Sequence, residues 1–173
     1  MLTRLLKVIS GGQTGVDRGA LDAAIELGVE CGGWCPTGRL AEDGLIPERY
    51  PVVELGNGGY AERTAQNVAD SDATLIISNG KPIGGTRETM ERCVEVKKPY
   101  LLLDHLLVTI DDGVELAFEF IRRRSSRAST SLGMTIVLNV AGPRASQWPE
   151  GYALTYQIMS AILRRISGQN DAN

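Results

Sequence analysis

The sequence predicts an α/β fold: an open, mostly parallel β-sheet with helices on both faces. Three observations carry that prediction. Apolar runs of strand length alternate with stretches of helical periodicity along the whole chain. The run at residues 74–78, Thr-Leu-Ile-Ile-Ser, is almost continuously apolar, as a strand covered on both sides must be. Three of the runs end directly in polar, glycine-bearing turns, where sheets of this kind bind ligands beyond the carboxyl ends of their strands.

The first strand spans residues 5–10, and its end opens into Gly11-Gly12-Gln13-Thr14-Gly15. A helix over residues 16–28 follows, with Val16, Ala20, Ala23 and Leu27 at helical spacing and Gly28 as its C-terminal cap. Glycine takes positive φ without strain, so Gly11, Gly12 and Gly15 are expected to bend sharply and let a ligand approach the backbone. The first turn of the helix offers unpaired N–H groups and the positive end of its dipole. Together these make a seat for an anion, most often a phosphate. A tight turn without a ligand is the plainer alternative. The spacing matches neither the dinucleotide fingerprint nor the Walker A loop.

Residues 29–34 predict a weak second strand. Residues 36–51, dense in Pro, Gly and charge, predict a long ordered binding loop. A short strand at 52–55, a Gly56-Asn57-Gly58-Gly59 turn and a helix at 60–70 follow. Arg63, Thr64 and Asn67 share one face of that helix, as surface residues or as a ligand-facing stripe. The strand at 74–78 runs into the turn from Asn79 through Gly84 and Gly85 to Thr86. Thr86 reads as the N-cap of a helix at 87–97, with Glu88 in its first turn. A strand at 100–103, a helix at 113–124, a strand at 135–140 and a helix at 150–166 complete the pattern. Arg122-Arg123-Arg124 and Arg127 read as a solvated helix end. The turn Ala141-Gly142-Pro143-Arg144 is the third polar turn. Residues 1–168 read as one domain and 169–173 as a tail.

The turns after the strands at 5–10 and 74–78 are expected to face each other across one crevice. Asp17 is expected to cap backbone donors there or to bind ligand hydroxyls, with Arg18, Arg39 or Arg144 offsetting its charge.

Bulk properties narrow the classes. The chain has 173 residues, enough for one core, and a net charge of −3 that argues against broad nucleic-acid binding. No apolar stretch approaches the roughly 20 residues of a membrane helix. Three cysteines do not suggest a disulfide framework, and the reading is a cytoplasmic protein. Cys31 and Cys35 lack partners for a zinc site, since His105 is the only histidine. They read as buried thiols, and no metal site is expected.

The residues 11–22, Gly-Gly-Gln-Thr-Gly-Val-Asp-Arg-Gly-Ala-Leu-Asp, resemble the opening motif of the molybdenum cofactor carrier family. Gly32-Gly33-Trp34-Cys35-Pro36, Gly38-Arg39 with Ala41-Glu42-Asp43-Gly44, Tyr60-Ala61-Glu62-Arg63-Thr64 with Asn67-Val68, and Asp70-Ser71-Asp72-Ala73-Thr74 resemble its later blocks. Gly84-Gly85-Thr86 and Leu138-Asn139-Val140-Ala141-Gly142-Pro143-Arg144 extend the likeness over nearly all of residues 5–166. The resemblance implies a three-layer Rossmann-like domain that holds the molybdenum cofactor, a pterin with a terminal phosphate, and forms dimers or tetramers. The wider group includes lysine-decarboxylase-like, cytokinin-activating nucleotide hydrolases with a Pro-Gly-Gly-x-Gly-Thr-x-x-Glu motif. Here Pro82-Ile83-Gly84-Gly85-Thr86-Arg87-Glu88 lacks one glycine before the threonine, which leaves Glu88 or Glu91 near the place of the hydrolase glutamate.

The expected function is therefore a carrier that binds a phosphorylated pterin or nucleotide-like ligand through Gly11, Gly12, Gln13, Thr14, Gly15, Asp17, Arg18, Asn79, Gly84, Gly85, Thr86, Glu88 and Arg144. The alternative is a nucleoside monophosphate hydrolase using Asp17, Glu88 or Glu91 as acid or base. No catalytic constellation is evident from the sequence. A DNA-processing role is disfavoured by the net acidity.

Overall fold

Alternating side chains along each strand fix which face meets which helix layer. In the computed structural model, which describes residues 6–128 and 135–168, five parallel strands form one sheet in the order β2-β1-β9-β7-β8. They are β1 (Leu6–Ile9), β2 (Cys31–Gly32), β7 (Ala73–Ser78), β8 (Tyr100–Asp104) and β9 (Ile136–Ala141). Leu6 and Val8, Leu138 and Val140, and Leu75 and Ile77 all enter one core beneath helices α1 (Val16–Glu26), α4 (Ile110–Ala128) and α5 (Gly151–Ser167). The other face carries α2 (Tyr60–Asp70) and α3 (Gly84–Glu95). There Asn139 donates to Thr74 Oγ1 across the β9–β7 pair at 3.3 Å.

The layers follow from chain direction. The β1-to-β2 and β8-to-β9 crossovers run one way along the sheet, and those into β7 and β8 run the other. Right-handed crossovers then put α1 and α4 on one face and α2 and α3 on the opposite one. Packing agrees: α5 lies against α1 and α4, while α2 lies against α3. Gly19 permits the close α1–α5 approach, because a Cβ there would sit 2.6 Å from Tyr152 O. The result is a three-layer, Rossmann-like α/β fold.

Several elements depart from the expectation. The β9 strand lies between β1 and β7, so the turns after those two are not immediate neighbours; the Gly142–Arg144 turn stands between them. The strand expected at 29–34 divides at Gly33, whose φ of +127° turns the chain out of the main sheet. Its second half, β3 (Trp34–Cys35), pairs with β6 (Val53–Glu54) in a separate parallel pair. The expected loop at 36–51 contains a 3-10 turn at Thr37–Arg39 and a hairpin of β4 (Leu40–Ala41) and β5 (Gly44–Leu45). Helix α3 starts three residues early, at Gly84 after an Ile83 cap, so Thr86 is inside the helix and not its cap. Helix α4 starts at Ile110 and takes in the arginine run, where Arg122 pairs with Glu119 at 2.9 Å. Residue 5, the expected tail at 169–173 and the Arg127 side chain lie outside what is described.

Candidate functional site

The β1–α1 corner is buried from Ser10 to Asp17. Gly12 and Gly15 take φ of +76° and +79°, as expected, whereas Gly11 does not. Glycine is needed at 11 for another reason. The Arg63 guanidinium from α2 lies against it, and a Cβ would fall 1.4 Å from Nη1. Gly15 likewise lets the Pro143 carbonyl approach, to 2.6 Å from where a Cβ would stand.

The corner uses its own amides. Gln13 N–H donates to Asp17 Oδ2 at 3.2 Å, Thr14 N–H to Gln13 Oε1 at 3.0 Å, and Val16 N–H to Pro143 O at 3.3 Å. Protein acceptors thus occupy three of the donors expected to face an anion. Asp17 does cap the backbone, but its ion partner is Arg63, at 3.0 Å, and not Arg18, Arg39 or Arg144. Burial pushes the Asp17 pKa up, against the opposing pull of Arg63. Arg39 donates to the carbonyls of Ile46, Pro47, Tyr50 and Val52.

The β4–β5 hairpin is latched over this corner. At its tip Glu42 accepts from Thr14 Oγ1, Ser146 Oγ and, at 3.0 Å, Ser146 N–H. Asp43 takes a two-pronged bond from Arg18 at 2.6 and 2.8 Å, and Arg18 Nε reaches Gly12 O at 3.1 Å. Burial alone would raise the Glu42 pKa, yet the bonds from Ser146 and Thr14 and the charge of Arg144 outweigh it and hold it low. Gly12, Thr14 and Arg18 therefore serve the latch, not the open face.

That face is a pocket of about 170 Å³ beyond the carboxyl ends of the strands. Gln13 and Asp17 line it from the first corner, Tyr60, Arg63 and Thr64 from α2. Gly85, Thr86, Glu88 and Thr89 contribute from α3, and Ala141, Gly142, Arg144 and Gln147 from beyond β9. Of the residues expected at the site, Gln13, Asp17, Gly85, Thr86, Glu88 and Arg144 meet here. Gly84 borders it, with Gln147 Nε2 3.7 Å from its would-be Cβ. Gly11 contributes only by receiving Arg63; Asn79 is exposed and is not among the lining residues. Arg63 and Thr64 line the pocket, while Asn67 clamps the Trp34 backbone at 2.8 and 2.9 Å. Tyr60, Thr89 and Gln147 were not foreseen. The one usable signal was Gln147 standing one helical turn beyond Arg144, whose carbonyl takes its N–H at 2.9 Å.

Helix α3 enters the pocket without a capping side chain or an acidic residue in its first turn. Thr86 and Arg87 N–H turn back to Ile83 O; those of Gly84 and Gly85 find no backbone acceptor among the described residues. The open Gly85 amide, the start of the helix, Arg63 and Arg144 thus border one pocket. Glu88 lines the same pocket, whereas Glu91 lies on the surface with Arg87 at 3.4 Å. His105 stacks on Trp148, 6.0 Å between ring centres, and lines a different, mostly apolar hollow. Cys35 is buried, Cys31 partly so, and burial raises both thiol pKa values. Among the described residues no three His, Cys, Asp or Glu side chains converge as metal ligands, and no helix is long and apolar enough to cross a membrane.

Comparison with known proteins gives this geometry a family context. The circularly permutated YpsA SLOG family matches residues 8–163. A crystal structure from Syntrophus aciditrophicus SB, of a protein named "putative molybdenum carrier protein", is 43% identical in sequence. It matches with a TM-score of 0.83 over 91% of this chain and 94% of the other. No curated protein matches the chain.

Proposed function

The chain belongs to the circularly permutated YpsA SLOG family, and on that footing we propose that it binds a phosphorylated small molecule in the α2–α3 pocket. The phosphate sits at the N-terminus of α3, on the Gly84 and Gly85 amides, between Arg63 and Arg144. The observation that carries this reading is the uncapped start of α3 opening onto the pocket that both arginines line. A helix start of this kind favours negative charge, and guanidinium groups suit phosphate oxygens. The name of the Syntrophus protein makes the phosphate-bearing pterin of the molybdenum cofactor the first candidate cargo. The remaining lining is rich in hydroxyl and amide groups, from Tyr60, Thr64, Gln13 and Gln147, which suits a polar heterocycle.

Titration calorimetry with a pterin phosphate, nucleoside monophosphates and inorganic phosphate tests this. Saturable binding is expected, and Arg144→Ala weakens it by about 1.5–3 kcal/mol, the range for charge-assisted hydrogen bonds. Arg144 is exposed enough that the variant keeps its fold. Unaltered affinity in Arg144→Ala would remove it from the site, and no binding by any of these compounds would refute the function.

A second reading is hydrolysis of a nucleoside monophosphate. It is favoured by Asp17 and Glu88 lining the same pocket, where a carboxyl group can act as acid or base. Ribose 5-phosphate released on incubation with a nucleoside monophosphate, and lost in Glu88→Gln, would establish it over pure carriage.

A further inference from the structure

Gln13 is 7% exposed, yet it lines the pocket. Two backbone N–H groups, from Thr14 and from Glu42, point at the same side-chain atom at 3.0 Å each. Only an oxygen can accept both, so the amide orientation is set by its surroundings. The Nε2 group is thereby held as a donor, and it has no hydrogen-bond partner among the described residues. Arg63, also on the pocket wall, is anchored through Nη1 on Asp17; its Nε is sealed under protein atoms, so only the outer N–H groups of the guanidinium can face a ligand. A donor at the pocket wall loses its water when a ligand binds, so a ligand that supplies an acceptor there is favoured.

We infer that Gln13 and Arg63 form a donor-only subsite that selects a heterocycle with an oxo group beside a ring nitrogen, as in 6-oxopurines and pterins, over its amino counterpart. On the side toward N7 the 6-oxopurine edge presents two acceptors, O6 and N7. The adenine edge presents one acceptor and one N–H donor, which would meet a donor head-on. The hairpin latch sets this polarity, because the Glu42 N–H is one of the two groups that hold Gln13 Oε1 in place. The inference rests on the reading of this pocket as the seat of a phosphorylated ligand, and it names the ring class that accompanies the phosphate.

Inosine and adenosine monophosphates share N7 and the ribose phosphate and differ at position 6 and in the N1 proton that goes with it, so they make the direct test by calorimetry. The wild-type protein binds the inosine compound about tenfold more tightly, the worth of one matched hydrogen bond. Gln13→Glu retains an oxygen for Thr14 and Glu42 but turns the pocket-facing donor into an acceptor. It brings the affinity ratio to one or inverts it; the ratio is the readout, since the added charge weakens both ligands alike. Equal wild-type affinities overturn the inference and leave the phosphate reading intact as long as ribose 5-phosphate binds. A preference that survives in Gln13→Glu also overturns it. Failure of both nucleotides and ribose 5-phosphate to bind overturns both readings.

Discussion

At Gly11 a missing Cβ lets a guanidinium lie against the backbone, and that contact delivers Arg63 to Asp17. The Asp17 carboxylate would otherwise be buried without a counter-charge, at considerable cost. Gly11→Ala tests the contact. The side chain that must give way is flexible, so the protein still folds, but Arg63 is pushed off Asp17. We expect a loss of about 1–3 kcal/mol in urea unfolding, as for a charged hydrogen-bond partner removed. Phosphate binding weakens with it. An unchanged unfolding midpoint would mean that the pair contributes nothing. The sequence announced the glycines but not this use of Gly11: the spacing of Gly11, Gly12 and Gly15 suggests one backbone role for all three. Arg63 lies 52 positions away, so their meeting depends on how α2 crosses the sheet.

Among the elements, the β4–β5 hairpin governs access to the corner, and Glu42 is its fastener. The Glu42 pKa is lower in the folded protein than in the unfolded chain. Its contribution is therefore present above the ordinary glutamate range and is lost as pH falls through the lowered folded value. Glu42→Ala removes the fastener at every pH. Limited proteolysis at neutral pH is expected to cut the variant within residues 39–46 much faster than the wild type. The wild type should approach the variant only in acid, and equal cleavage of both at neutral pH would dismiss the latch. Two-residue strands around a charged turn leave no periodic signal, which is why residues 36–51 read as plain loop. The start of α3 was hidden for a related reason. Gly84-Gly85 reads as a break in helical propensity, and Ile83 offers no capping oxygen. Yet that lack of a cap is what leaves the Gly85 amide, on the pocket wall, without an acceptor.

Across the whole molecule, the alternation of strands and helices was legible because it is local. A fully buried strand such as β7 declares itself in five or six residues. Strand order is not local. Nothing in the sequence near residue 136 says that β9 inserts between β1 and β7, although that insertion places Gly142 and Arg144 at the middle of the crevice. The insertion also leaves no room beyond β9: a Cβ on Gly142 would lie 2.2 Å from the Ile77 carbonyl of β7. The carbonyl is backbone and a Cβ is fixed to its Cα, so neither can swing aside. Gly142→Ala is expected to cost several kcal/mol, in the range of severe core overpacking. A melting temperature within a few degrees of wild type would show that β9 and β7 separate more readily than this packing implies.

In the proposed function a phosphate rests on the open start of α3. Crystals grown with ribose 5-phosphate test it most directly, through difference density for the phosphorus atom. That density is expected at the Gly84 and Gly85 amides, within reach of Arg63 and Arg144. Phosphorus density at another surface, with the α3 start bare, would contradict it.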